Sequence, residues 1–410
     1  MKRSGVPVHL SRGTKGGKKS AAGASQPAAA IAVAPVQADS ATSKTRAVCD
    51  RLTTLARELG PDAKLPTFVQ MRNQLGVSAV TLTNALDALE AQQVVYRRHG
   101  VGIFASPKLW RKSVALVCEP SFFQVAGTSP FWQQLVSAVT SLAEGRQVDV
   151  SFHFSNPDEK GVSAMHEGVL HDIRTGRIQG VISIGGGENA ADLVRGYSVP
   201  FVSYAGEAPH MVVSDHMPVI TRGVEQLGLR GCRRIALWNP ISPYRLYRRT
   251  IDDFEMARRN TEVFASALAE HGIPFVPELV DHNLHLWQNG EWRTLVSLQE
   301  QGYQMAYRAF REDASVKPDG IISTNDVMTH GALIALRELG IRVGRDIPVV
   351  SHANVGSPAL LGDEKDLILV EVDPREIVQA MFEILEALMD GQTPAEPRRV
   401  VVARLRERPQ

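Results

Sequence analysis

The sequence predicts an α/β protein in two parts: a small helical head ending in a hairpin, and a strand-and-helix body large enough for two lobes. Three observations predict it. Between Lys64 and Phe104, apolar residues fall at helical spacing, break at Gly76, resume after Ser78 and give way to an alternating stretch that carries arginines. From Ser113 onward, short apolar strands alternate with amphipathic helical runs, as in parallel sheets covered on both faces. Charge divides at the same place. Through Lys112 there are 17 Lys and Arg against 6 Asp and Glu, and beyond it 28 against 38, although the whole chain carries only +1.

Residues 1–40 are rich in Ala, Ser, Gly and Pro, with six basic residues and no acid before Asp39. Such a segment cannot bury a core and reads as a disordered basic tail. A phosphate-tracking arm and a merely solvated leader are both open readings. The apolar stretch AAAIAVAPV is too short for a secretory leader, which argues against export. A helix over 42–59 carries Val48, Leu52, Leu55 and Leu59 on one face, and Gly60-Pro61 leads out of it.

Within the head, Gly76 ends one amphipathic run and Ser78 supplies the hydroxyl of a helix N-cap. The next helix, about Ser78 to Gln92, places Leu82, Ala85, Leu86 and Leu89 in one stripe and leaves Ala79, Thr81, Thr83 and Asn84 to face a groove. The stretch VVYRRHGVGIF then turns at Gly100 as a two-stranded wing. Residues 41–105 therefore read as a winged helix-turn-helix, and the partner that suits its basic charge is double-stranded DNA. Lys64, Arg72, Arg97 and Arg98 are the phosphate candidates. Ser78, Thr81, Thr83 and Asn84, with His99 and Gly100 at the wing tip, are the candidates for position and sequence. Residues 106–112 read as a linker in which Lys108, Arg111 and Lys112 surround Trp110, either touching the DNA backbone or simply solvated.

The head resembles the GntR family of bacterial winged-helix regulators. The resemblance rests on Leu65-Pro66, Leu75-Gly76-Val77-Ser78, Thr81, Ala85-Leu86, Leu89-Glu90, Arg97, Gly100 and Gly102-Ile103-Phe104. Where that family often carries arginine or another polar reader, this chain has Val69, Ala79 and Thr83. The resemblance thus implies the fold without implying an operator sequence.

In the body, strands are expected at 114–119, 148–154, 180–185, 200–205, 234–239, 320–326 and 347–352. Helices are expected near 131–144, 166–174, 221–229, 258–270, 301–311, 328–339 and 376–389. Nearly 300 residues of this exceed one core, so two lobes follow. Gly185-Gly186-Gly187 lacks the Lys-Ser/Thr of a P-loop, and His282 and His285 with Asp281 offer no fourth ligand. Gly-x-Ser-x-Gly is absent. Neither metal, cofactor nor enzymatic activity is expected. Cys49, Cys118 and Cys232 fit no metal spacing and suit a reducing cytoplasm, and no apolar run reaches the ~20 residues of a membrane span.

The segments GVEQLGLRGCRRIALWN, PDGIISTNDVMTHGALIALRELGIRVGRDIPVVS and LILVEVDPREIVQAMFEILEALMDG resemble the LacI/GalR-type regulatory body, itself similar to periplasmic sugar-binding proteins. The resemblance implies an effector-binding domain over 113–406, with lobe one at 113–213 and 373–397 and lobe two at 214–372. It also implies a sugar-like effector bound between the lobes. By it, Ser129, Phe131 and Trp132 after the first strand, Tyr204, Arg259 and Asn260 on a helix, Asn325 after GIIST, and Asn354 are effector contacts; Asp326, in the same family position, reads instead as the cap of the helix beginning at Val327. Acids of the family are replaced here by Ala205 and Ala353. Tyr244, Tyr247, Trp287 and Trp292 stand in long segments that rim a cleft or line a subunit contact. A GntR-type head on a LacI-type body is an arrangement of sugar-responsive repressors. It implies a cytoplasmic, homodimeric, DNA-binding regulator with no membrane partner. The rival readings are an enzyme or a transport-type binding protein acting on a sugar or sugar phosphate, and a DNA-architectural protein without ligand.

Overall fold

The computed structural model describes residues 41–407 apart from 121–122, 124–128, 158–162, 188–189, 242–249, 284–286, 289–290 and 293–295. The described residues up to Trp110 form one compact unit, and those from Arg111 a second.

The head comprises α1 (Ala41–Leu59), α2 (Phe68–Leu75), α3 (Ala79–Ala91), β1 (Val95–Arg98) and β2 (Gly102–Ala105). A capping box opens α2: the Thr67 hydroxyl accepts from the Gln70 amide while the Gln70 side chain accepts from that of Thr67. Gly76 ends it at φ 67°, a left-handed conformation in which a side chain is strained. Ser78 caps α3, its Oγ accepting from the Thr81 amide at 3.1 Å. Leu82, Ala85, Leu86 and Leu89 are all buried, packed with Val48, Leu52, Leu55, Met71 and Leu75. The antiparallel hairpin pairs Tyr96 with Phe104 and Arg98 with Gly102, and turns at Gly100, φ 70°.

The body runs β3 (Lys112–Cys118), α4 (Phe131–Gly145), β4 (Val148–Phe154), β5 (Asn156–Pro157), β6 (Ser163–Ala164), α5 (Glu167–Arg174), β7 (Gly180–Gly187), β8 (Phe201–Gly206) and β9 (Met211–Asp215). It continues through α6 (Met217–Gly228), β10 (Ile235–Trp238), α7 (Thr250–Glu270), β11 (Val280–Asp281), β12 (Trp287–Gln288), β13 (Glu291–Trp292), α8 (Leu298–Phe310) and β14 (Gly320–Ser323). It closes with α9 (Asp326–Glu338), β15 (Val349–Asn354), β16 (Ile368–Val372), α10 (Pro374–Met389), β17 (Arg398–Val402) and β18 (Arg404–Leu405). One parallel sheet has the order β17-β9-β8-β7-β3-β4. The other, β11-β10-β14-β15-β16-β18, is parallel except where β18 runs against β16. Ile377, Val378, Met381, Phe382 and Leu385 of α10 are buried with the first sheet, and Val219, Ile220 and Val224 of α6 with the second.

The chain passes between the sheets three times, at His216, Asp373 and Ala403. Several crossings of this kind make a hinge. Their positions move the expected lobe boundaries. Ser214 and Asp215 remain in β9, and residues 398–402 join the first sheet beside β9 before 404–405 return to the second. The strands β9 and β17 were not among those expected, because MVVSD and RRVVV are short and mix polar with apolar residues. The helix α6 starts four residues before the expected 221, since Pro218 lies in its first turn, where a missing N–H costs nothing. The linker is shorter than expected, with strand β3 already begun at Lys112.

Candidate functional site

On α3 the sequence left four residues for a groove. Ala79, Thr83 and Asn84 are exposed, and Thr81 is half-buried. The Thr81 hydroxyl lies 2.9 Å from that of Ser78, so this pair is engaged in the helix cap. Among the described residues neither Thr83 nor Asn84 has a side-chain hydrogen bond, which leaves both free to meet a ligand. Val80, not singled out from the sequence, is 69% exposed beside them.

The four basic candidates divide. Arg97 is tied to α3: its guanidinium is 2.6 Å from Asp87 and 3.3 Å from Glu90, and its amide donates to Glu90. The expected phosphate role for Arg97 is therefore revised, because these two acids hold the guanidinium and together outweigh its single positive charge. Arg98 instead lies over the stacked rings of Tyr96 and Phe104, at 5.4 and 5.1 Å from their centroids. Its charge has no acidic partner among the described residues. The Tyr96 hydroxyl donates to Asp62 at 2.7 Å, which fixes the platform. Lys64 bridges to Phe104 and lays its aliphatic stem over Gly102, where a Cβ would meet it at 2.6 Å. Arg72, His99 and Gly100 are exposed. In the linker, Lys108 bonds Gln93, Arg111 pairs with Asp149, and Lys112 with Asp390.

In the body, the carboxyl ends of β10 and β14 bring together Asn239, Thr324 and, from α7, Asn260. The Asn260 amide donates to Asn239 Oδ1 at 2.9 Å, and the Thr324 hydroxyl donates to the same oxygen at 2.9 Å. Both asparagines are buried, and this leaves Asn239 Nδ2 and Asn260 Oδ1 with no partner among the described residues. Buried polar atoms of this kind are rarely left unsatisfied, yet among the described residues the two asparagines keep an unused donor and an unused acceptor at the carboxyl ends of β10 and β14. Arg259, next to Asn260, is exposed on α7.

The cap role expected of Asp326 falls to Asn325, the residue expected to face effector. Asn325 is the cap of α9, its Oδ1 accepting from the Met328 amide at 2.9 Å. Asp326 is buried, with Oδ2 accepting from Asn354 and from Ser357 at 3.0 Å and Oδ1 from the Val327 amide. Burial pushes its carboxyl above the usual range. Asn354, expected to touch effector, thus holds Asp326.

On lobe one, Phe131, Trp132 and Tyr204 form an aromatic trio with centroids 5.0 to 6.3 Å apart. Ser129 accepts from the Phe131 amide at 3.3 Å. Tyr204 is buried, its hydroxyl 2.6 Å from that of Ser214, and burial pushes its pKa up to about 12. Tyr204 and Phe131 are thus core members, and Trp132 is half-buried over them. From α4, the helix that carries Phe131 and Trp132, Gln134 Nε2 reaches the Val355 carbonyl on lobe two at 3.2 Å.

Near the first crossing, the rings of His216 and His352 meet edge to face at 4.9 Å. Burial pushes their pKa values down to about 3 and about 4. Both nitrogens of His352 lack a partner among the described residues.

Two surface hollows, about 400 Å³ against Pro218 and Leu405 and about 680 Å³ at His153 and His171, involve none of the expected effector residues. His282 bonds Thr261, and no group of three metal-ligating side chains occurs among the described residues. No helix among them is long and apolar enough to cross a membrane. Trp287 and Trp292 lie opposite each other on β12 and β13. Tyr244, Tyr247, His285 and the basic tail lie outside the described residues. The sequence reading missed Asn239 and Gln134. The rule that ligands meet strand carboxyl ends could have found Asn239, which follows β10 directly.

Residues 45–105 match the family described as bacterial regulatory proteins, gntR family, and residues 224–409 match the periplasmic binding protein-like domain. The chain is similar in structure to a regulatory protein of the LacI family from Chloroflexus aggregans, at 19% identity and TM-score 0.54 over 72% of this chain and 96% of that one. It is similar to the transcription regulator CcpA of Lactococcus lactis, at 18% and 0.52 over 72% and 98%. It is also similar to a LacI family transcriptional regulator from Arthrobacter sp. FB24 in complex with lactose, at 23% and 0.51 over 72% and 98%. At these identities the likeness is one of fold. No curated protein matches the chain.

Proposed function

Because residues 45–105 are a gntR-family head and residues 224–409 a periplasmic-binding-protein-like domain, we propose that the chain is a cytoplasmic transcription regulator. It binds operator DNA through the head and a small-molecule effector between the lobes of the body. As a homodimer it grips two half-sites, and effector binding at the hinge alters their spacing and releases the operator, the action of a repressor. The observation that carries this reading is the open face of α3. Thr83 and Asn84 are exposed and unbonded on a helix otherwise packed into the head, on the same chain as a body crossed three times between lobes. The unpartnered donor and acceptor of Asn239 and Asn260, beside the Thr324 hydroxyl, suit a neutral polyol such as a sugar or its derivative once the lobes part to admit it. The lactose held by the Arthrobacter neighbour supports that class. We assign the chain no enzymatic role.

The test is a selection of duplex DNA from a random pool by the full-length chain. Mono- and disaccharides, their acids and their phosphates are then screened for release of the selected duplex. A recurring motif released by one ligand supports the reading. Failure to retain any sequence rejects the DNA role, and a motif released by no ligand rejects effector control.

A further inference from the structure

Resting on the DNA-binding reading above, we propose that α3 docks on a run of A·T pairs, with thymine methyl groups packed on Val80 and an adenine read by Asn84. From Ser78 to Gln92 the chain has no Lys or Arg. The commonest specific contact to guanine is a bidentate Arg or Lys, and this helix supplies neither. Its exposed face offers Ala79, Val80, Thr83 and Asn84. Each has a counterpart on A·T pairs. The asparagine amide matches adenine N6 and N7, and methyl-bearing side chains match the thymine 5-methyl.

The distribution of exposed aliphatic side chains supports the same conclusion. Between Ala41 and Ala105, the large hydrophobic residues left exposed among the described residues are Val69 at 56%, Val80 at 69% and Val101 at 54%. They stand at the second residue of α2, the second residue of α3 and the wing turn. These are the elements that a winged helix-turn-helix presents to a duplex. The long face of α1 exposes none. The duplex is also favoured by charge: from Ala41 to Trp110 there are nine basic residues against five acids, and Arg97 offsets one of the two acidic charges of α3.

The experiment takes the motif selected by the full-length chain and replaces its thymines with uracil, which removes the 5-methyl and nothing else. Binding is expected to weaken about fourfold for each methyl in contact, the worth of one buried methylene-sized group. Val80→Ala should weaken binding to the thymine duplex by a similar factor and leave binding to the uracil duplex unchanged. Its thermal unfolding should match that of the parent, because the side chain is exposed. A motif anchored on guanine, equal affinity for thymine and uracil duplexes, or an equal loss for V80A on both overturns the proposal and leaves DNA binding intact. Recovery of no motif overturns it together with the DNA role itself.

Discussion

Gln134 on α4 donates its side-chain amide to the carbonyl of Val355 at 3.2 Å, and the two residues stand on different lobes. The bond spans the two lobes, so it contributes to the arrangement that brings Gln134 and Val355 together. Val355 precedes Gly356, whose φ of 76° turns the loop back, with the same Gln134 nitrogen 3.6 Å from where a Cβ would stand.

Gln134→Ala should therefore weaken an effector that binds between the lobes. One exposed hydrogen bond contributes about 0.5–1.5 kcal/mol, which corresponds to roughly two- to tenfold in affinity. Calorimetric titration with the ligand found by screening measures it. An unchanged affinity means that ligand binding does not draw the lobes toward this arrangement.

The histidine pair makes acid sensitivity a property of the hinge region. Unfolded, an imidazole takes its proton near pH 6.5, whereas folded His352 stays neutral until about pH 4 and His216 until about pH 3. Between those values the unfolded chain binds more protons, so stability is lost as pH falls from about 6.5 toward 4. Asp326 acts in the opposite sense, since its raised pKa lets the folded state take a proton first. His352→Phe removes the group that burial disfavours in its charged form, along with two unpaired nitrogens. It should flatten the loss of stability across that window by about 3 kcal/mol, at 1.36 kcal/mol for each pKa unit. Denaturant titrations at pH 7 and pH 4.5 check it, and equal slopes for parent and variant reject the assignment.

Much of the fold was legible because its signals are local. Gly76 and Ser78 stand two residues apart and between them fix how α2 ends and α3 begins. The sites were less legible because distant partners decide them. Asn325 and Asp326 are both able to cap a helix, and nothing adjacent says which one does. The choice is made by Asn354 and Ser357, 28 and 31 residues on, which hold the Asp326 carboxylate. The Tyr204 hydroxyl looks available until β9 brings Ser214 to it. Arg97 looks like a phosphate contact until the wing folds onto α3 and meets Asp87.

Arg97 and Arg98, adjacent in sequence, should therefore behave differently. Arg98→Ala removes an exposed charge from the wing and should weaken every DNA sequence alike, lowering the salt slope of binding by about 1. Arg97→Ala uncovers Asp87 and Glu90, and it should weaken DNA binding by their repulsion. Asp87→Ala in that background should recover part of the loss. Exposed ion pairs contribute at most about 1 kcal/mol, so neither variant should unfold the head. Binding isotherms at several salt concentrations distinguish the two, and no recovery in the double variant refutes the neutralising role.

Ser78 and Asn84 lie within two turns of each other on the same helix, yet the structure gives them separate work. The Ser78 hydroxyl accepts from the Thr81 amide, one of the donors that a helix start leaves unpaired. Ser78→Ala should cost about 0.5–2 kcal/mol of stability, the usual worth of an N-cap, while leaving the exposed face of α3 chemically intact. Once the fraction folded is corrected for, its DNA affinity should be near that of the parent. Asn84 bonds nothing within the head, so Asn84→Ala should change stability by no more than about 0.5 kcal/mol. It should nevertheless lower affinity for the preferred duplex roughly 5- to 150-fold, as expected for a bidentate base contact of about 1–3 kcal/mol, and relax the choice at one base pair. Thermal unfolding of the two variants, set beside binding to matched and single-substituted duplexes, separates a residue that builds the helix from one that reads through it. An Asn84→Ala variant that binds all duplexes as the parent does would remove Asn84 from the reading face and leave Thr83 and Val80 as its only specific contacts.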